Sequence, residues 1–134
     1  NIGDSRVYLQ RDAVLTQMSR DHSQVQALID AGQLTPAQAR RDPRKNVVTR
    51  ALGAGLDQEA VPDIRTVDAQ CGDRLLICSD GLSDELDDEA LATVLDAGMR
   101  PQHTAEAAVA AALEAGGHDN TTALVVDLVP ESAL

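Results

Sequence analysis

The sequence predicts an α+β fold, with short antiparallel strands forming a sheet and amphipathic helices filling the connections. Three observations carry this expectation. Val7-Tyr8-Leu9 and Val14-Leu15-Thr16 flank Arg11-Asp12-Ala13 and read as a hairpin. The apolar run Arg74-Leu75-Leu76-Ile77-Cys78-Ser79 lies between Gly72-Asp73 and Asp80-Gly81, the signature of a buried, central strand covered on both faces. Thr122 to Val129 is rich in β-branched residues and reads as the last strand.

The helices follow from caps and periodicity. Asp21-His22-Ser23 opens a helix of about three turns with Val25, Leu28 and Ile29 on one side and Gly32 as its stop. Thr35-Pro36 caps a short second helix that ends near Asp42-Pro43. Asp87 or Asp88 starts a third, carrying Leu91, Val94 and Leu95 to Gly98. Thr104 caps an alanine-rich fourth, ending at Gly116-Gly117 with Val109 and Leu113 on its inner face. The stretch between Pro43 and Gly55 is irregular. Five of the eleven Lys and Arg residues, Arg40, Arg41, Arg44, Lys45 and Arg50, crowd around it, and a solvated surface segment accounts for them.

Composition narrows the function classes. A length of 134 residues fits one globular unit. Tyr8 is the only aromatic residue, so the core is aliphatic and thin. A formal charge of -11 repels phosphate backbones and anionic lipid, which excludes nonspecific nucleic-acid and membrane-surface binding and favours cations. Cys71 and Cys78 lie too far apart along one strand to pair, which suits reduced thiols in the cytoplasm. There is no membrane-length apolar run. Asn1-Ile2-Gly3-Asp4 shows neither an initiator methionine nor a signal pattern, and the expectation is a chain cut from a longer one.

Three aspartates occupy turns that touch strand ends: Asp4 in Gly-Asp-Ser-Arg, Asp80 in Ser-Asp-Gly and Asp119 in His-Asp-Asn-Thr. One strand runs into Asp80, whereas strands run out of Asp4 and Asp119. Antiparallel pairing therefore brings all three to one sheet edge, where like charges need a cation. Carboxylates and water suit Mg²⁺ or Mn²⁺. Taken singly, each is an ordinary turn former. His22, His103 and His118 with two cysteines lack zinc-site spacing, and an EF-hand loop begun at Asp80 would have Glu85 where glycine is required.

The ordered set Gly3-Asp4-Ser5-Arg6, Leu15-Thr16 with Asp21-His22-Ser23, Arg50-Ala51-Leu52-Gly53, Gly72-Asp73, Ser79-Asp80-Gly81-Leu82 and Asp119-Asn120-Thr121-Thr122 resembles the PP2C-type (PPM) metal-dependent serine/threonine protein phosphatases of bacteria. The resemblance spans the chain and implies a β-sandwich of antiparallel sheets flanked by helices, present here as an incomplete C-terminal portion over residues 1–134. It implies hydrolysis of phosphoserine and phosphothreonine in proteins, two catalytic Mn²⁺ or Mg²⁺ ions and a third held more loosely. By position, Asp80 and Asp119 resemble ligands of the first catalytic metal, and Asp80 and Asp4 ligands of the third. Asn120 would orient its loop, and Arg6 would be structural. Residues 36–55 resemble the flap beside the cleft. Phosphorylated proteins, and an opposing serine/threonine kinase with its substrates, are the implied partners. The family's metal-bridging Asp-Gly pair and phosphate-binding arginine have no counterpart here, so the fragment alone is expected to be inactive. The alternative is a non-catalytic phosphatase-like regulatory or binding module.

Overall fold

Arg11 and Val14 pair across a two-residue turn in which Asp12 and Ala13 both take positive φ (50° and 61°), the left-handed geometry that matches strand twist in tight hairpins. This hairpin joins β1 (Arg6–Arg11) to β2 (Val14–Gln17). The computed structural model describes residues 1–53 and 61–133. Its remaining elements are α1 (Gln24–Asp30), α2 (Pro36–Ala39), β3 (Arg74–Cys78), α3 (Asp80–Ser83), α4 (Asp88–Leu95), α5 (Pro101–Ala115), β4 (Ala123–Asp127) and a closing 3₁₀ turn (Glu131–Ala133). They divide into two compact units, one of residues 1–5 and 19–64, the other of residues 6–18 and 65–134.

The second unit holds the sheet, fully antiparallel in the order β2-β1-β3-β4, so β3 is interior as expected. Alternation along each strand sorts the side chains. Tyr8, Leu76 and Val125 stand side by side on one face and are buried with Leu82, Leu86, Leu91, Leu95, Ala108 and Ala112 of the helical layer. Burial pushes the Tyr8 phenol up to about 12, and Arg6 Nη1 donates to its oxygen at 3.0 Å. The other face is open at its β3–β4 end, where Ile77 is 41% and Leu124 53% exposed, although Leu9 on the same face is buried. β3 is therefore central in order but buried on one face only.

Helix caps match the sequence at Ser23, Thr35 and Asp87, whose side-chain oxygens accept from Gln26, Gln38 and Ala90 N–H groups, and Thr35 and Gln38 complete a capping box. α1 is two turns, shorter than expected, and α4 ends at Leu95 before Gly98 is reached. α5 begins at Pro101 instead of Thr104, because proline at the first helical position starts it with Arg100 as its cap. Thr104 is buried inside the helix and reaches the Arg100 carbonyl at 3.1 Å. Its inner face consists of Thr104, Ala108 and Ala112. Leu113 is 58% exposed, and with Val109 it borders an open groove beside β4.

In the first unit the buried set is small and polar: Asp21, His22 and Ser23 with Val25 and Ala39. Backbone bonds hold α1 and the chain after α2, with Gln24 N–H to Val47 O (2.8 Å) and Thr49 N–H to His22 O (2.7 Å). The irregular basic segment is present as far as Gly53; positions 54 and 55 lie outside the described residues. Arg44 folds back on Asp42 through its backbone N–H, Nε and Nη2, which holds that carboxyl at about 2. Cys71 is exposed and Cys78 buried, both as free thiols. Among the described residues no helix is long and apolar enough to cross a membrane.

An ion pair between half-exposed Arg11 and buried Asp73 fixes the base of β3. Arg11 Nε and Nη2 donate to Asp73 at 2.7 and 2.6 Å, Gln70 N–H adds a bond at 2.8 Å, and the arginine hydrogen bonds hold the Asp73 carboxyl at about 2. A carboxyl depressed on folding stabilises the protein above its unfolded pKa, and that contribution is lost as pH falls through the folded value. In the full-length protein, the stability difference between wild type and Asp73→Asn is therefore expected to be greatest above about pH 5 and to shrink between about pH 4 and pH 2, as read by urea unfolding at stepped pH.

Candidate functional site

The ladder between β3 and β4 sets the site. Cys78 lies opposite Ala123, and Ser79 N–H continues the pairing to Thr122 O at 3.1 Å. The turn after β3 and the turn before β4 are thereby side by side at one end of the sheet, as the strand directions require.

Ser79 holds the two turns together. It has the extended backbone of a helix cap, yet its hydroxyl does not cap α3. Its Oγ instead donates to Asn120 O (3.2 Å) and accepts from Thr122 N–H (3.0 Å). Thr121 Oγ1 lies within hydrogen-bond reach of the Gly81 and Asp119 carbonyls, at 3.3 and 3.2 Å. The approach is so close that a Cβ on Gly81 would come within 2.4 Å of Asn120 O. Gly81 is therefore required by proximity.

Asp80 and Asp119 sit on these joined turns. Asp80 is the first residue of α3, partly buried, and its Oδ1 accepts from Gly81 N–H at 2.9 Å. Asp119 is exposed, and its Oδ1 accepts from Asn120 N–H at 2.7 Å. Each carboxylate thus has one oxygen bonded to the next backbone amide, which restrains it at its turn. Two carboxylates from rigid turns are the donor set that Mg²⁺ or Mn²⁺ takes, with water completing the shell. Among the described residues no group of three or more His, Cys, Asp or Glu side chains is arranged to hold a metal.

Asp4 lies in the first unit. Its turn is held by His22, which is 2% exposed: Gly3 N–H donates to Nδ1 at 3.1 Å, and His22 N–H donates to Gly3 O at 2.9 Å. With Nδ1 accepting, the ring proton sits on Nε2 and faces Asp63 Oδ2 at 3.1 Å. The His22 hydrogen bond, aided by the charges of Arg50 and Arg20, holds the Asp63 carboxyl below the usual range.

Sequence reasoning did not anticipate α3 or the role of Gly81. The Ser79-Asp80 pair ahead of Leu82 was the available signal for a helix start.

The family model described as Stage II sporulation protein E (SpoIIE) matches residues 13–129. The serine/threonine protein phosphatase PstP of Mycobacterium tuberculosis is 43% identical over 131 residues, covering 96% of this chain and 24% of PstP. The crystal structure of that organism's PstP/Ppp superposes with a TM-score of 0.89 at 41% identity, covering 96% of this chain and 53% of the solved one. A structure of the PstP catalytic domain in complex with two manganese ions gives 0.81 at 41% identity, covering 96% and 52%. The chain belongs to the SpoIIE/PP2C-type (PPM) phosphatase family, as its motifs imply. It spans about half the length of the solved catalytic domains and a quarter of the full PstP sequence.

Gly81→Ala forces a methyl group against the Asn120 carbonyl, and overpacking of this kind costs about 1–3 kcal/mol. The expected outcome is a loss of that size in urea unfolding of the full-length protein, with faster amide exchange at Ser79 and Thr122. Unchanged stability and exchange would mean that the two turns are not held in contact.

Proposed function

We propose that this chain is the C-terminal part of a metal-dependent phosphatase that hydrolyses phosphoserine and phosphothreonine in proteins, and that Asp80 and Asp119 hold a catalytic Mn²⁺ or Mg²⁺. The observation that carries this reading is the joining of the Asp80 and Asp119 turns through Ser79, Gly81 and Thr121. It sets two hard anionic ligands on neighbouring rigid loops. The manganese ions of the PstP catalytic domain and the shared motifs support it. Bound there, a divalent ion supplies Lewis acidity towards phosphoryl oxygens and an acidified water.

The chain's own residues provide placement. Backbone amides at Gly81 and Asn120 restrain the carboxylates, and Asn120 orients its loop instead of binding metal. Asp4, whose turn is held by the contacts of His22 with Gly3, is proposed as a ligand of the third ion. The missing bridging Asp-Gly pair and phosphate-binding arginine belong, on this reading, to the other half of the domain, whose second sheet covers the Ile77 and Leu124 face. Residues 1–134 alone are then inactive. Phosphorylated proteins are the substrates, an opposing serine/threonine kinase acts on the same proteins, and the free thiols suit a cytoplasmic setting. The segment 36–55 acts as a flap, its exposed Arg41 meeting phosphopeptide.

In the full-length protein, Asp80→Asn is expected to abolish Mn²⁺-dependent hydrolysis of a phosphothreonine peptide while thermal unfolding stays nearly unchanged, because a neutral amide binds a hard cation poorly. Asp4→Asn is expected to be milder. Equal, complete loss in both would overturn the ranking, and Mn²⁺ binding without any hydrolysis in wild type would identify a non-catalytic module. Arg41→Glu should raise KM for phosphopeptides and leave turnover of a small aryl phosphate unchanged; a shared fall in kcat would make the segment catalytic.

A further inference from the structure

The loop that carries Asp119 is fixed on its downstream side by Ser79 and Thr121. On its upstream side the chain leaves α5 through Gly116 and Gly117, and the contact there is made by Glu85. Glu85 Oε1 lies 2.8 Å from His118 Nδ1 and 3.3 Å from His118 N–H. A carboxylate only accepts, so Nδ1 carries the shared proton. The His118 side chain is 81% exposed and that of Glu85 only 12%. Packing therefore does not hold the imidazole in place, whereas Glu85 is an anchored partner.

Glu85 is anchored because its neighbours are. Asp84 N–H donates to Asp80 O at 2.7 Å, Leu86 N–H donates to Leu82 O at 3.0 Å, and both leucines lie in the core. The glutamate thus projects from the same turn that begins with Asp80. Gly116 makes the contact possible, since a Cβ there would lie 2.4 Å from the His118 ring and 2.8 Å from Glu85 Oε2.

We propose that Glu85 and His118 are positioning residues, a latch that ties the Asp119 loop to the Asp80 turn and so sets the separation of the two carboxylates. The proposal rests on the metal-site reading above. Groups that orient metal ligands without touching the metal typically change affinity about 10- to 100-fold when removed. Unlike the Ser79 and Thr121 hydroxyl bonds, which tie the two turns together on the downstream side of Asp119, this latch acts on the residue just before it, so both flanks of Asp119 are held.

The test is Mn²⁺ titration of the full-length protein, following the free hexaaqua signal by electron paramagnetic resonance, with thermal unfolding of the metal-free protein alongside. Glu85→Ala is expected to weaken Mn²⁺ binding by about 10-fold or more, and excess Mn²⁺ should restore most of kcat. Glu85→Gln keeps an oxygen that accepts both His118 bonds and should stay within about 3-fold of wild type, well short of the loss expected of a broken orienting contact. Should Glu85→Ala fail to fold, His118→Ala reads the same contact at an exposed ring and should also weaken binding. Wild-type affinity in Glu85→Ala or His118→Ala overturns the proposal. Equal weakening in Glu85→Ala and Glu85→Gln also overturns it, because charge and not the contact would then matter. Absence of Mn²⁺ binding in wild type defeats the metal-site reading itself, and the latch with it.

Discussion

Arg74 is the cation on which the second unit turns. Its Nε and Nη2 clasp Asp127 across the strand pair at 2.5 and 2.8 Å, Nη1 donates to Leu95 O at 2.7 Å, and Nη2 donates to Met99 O at 2.7 Å. Thr104 Oγ1 lies 3.3 Å from Nη1. One planar group thus joins β3 to β4, caps the end of α4 and fixes the α4–α5 connection. Hydrogen bonds to a charged group contribute about 1.5–3 kcal/mol each when satisfied, and arginine's fork suits this geometry better than lysine would. The hydrogen bonds to Asp127 raise the arginine's affinity for its proton above the ordinary value.

The clasp lies at the opposite end of β3 from Asp80, and that separation organises the molecule. At the Arg74 end, helices are locked to strands. At the Asp80 end, short turns project beyond the ladder and are held by side-chain and backbone bonds among themselves. Register carries information between the two: once Arg74 is opposite Asp127, Cys78 must be opposite Ala123, and the turns of Asp80 and Asp119 must meet. A rigid sheet with Asp80 and Asp119 on its end loops places both carboxylates without fully burying them.

Much of this was legible in the sequence because the deciding signals were local. Ser23, Thr35 and Asp87 cap helices through their own side chains, and strand direction alone placed Asp80 beside Asp119. Where the outcome depended on how closely elements approach, the sequence misled. Val109 and Leu113 were the large apolar residues of α5 and were expected inside. The helix instead lies against the sheet through Thr104, Ala108 and Ala112, because small side chains allow the closer approach. Arg74 inside an apolar run and Glu85 inside an acidic one gave no sign of their partners, which lie 53 and 33 residues away. The both-face burial expected of β3 rested on an apolar run, and such a run reports what a strand can bury, not what lies against it.

That uncovered face connects folding to chemistry. Ile77 and Leu124 flank one another on β3 and β4, within a few residues of Asp80 and Asp119, so whatever covers this face also bears on the end of the sheet where the carboxylates stand. On the phosphatase reading, the covering sheet brings the remaining metal ligands with it. Burying the apolar face and completing the metal shell would then be one event, because the strands that hide Ile77 would also bring the remaining ligands. Metal binding would stabilise the closed sandwich by mass action, and the closed sandwich would hold the ligands at the spacing the metal requires. On that reading Asp80 and Asp119 would enter the shell on turns already ordered by Ser79, Gly81 and Thr121, and the ordering left to the metal would fall on the partner strands.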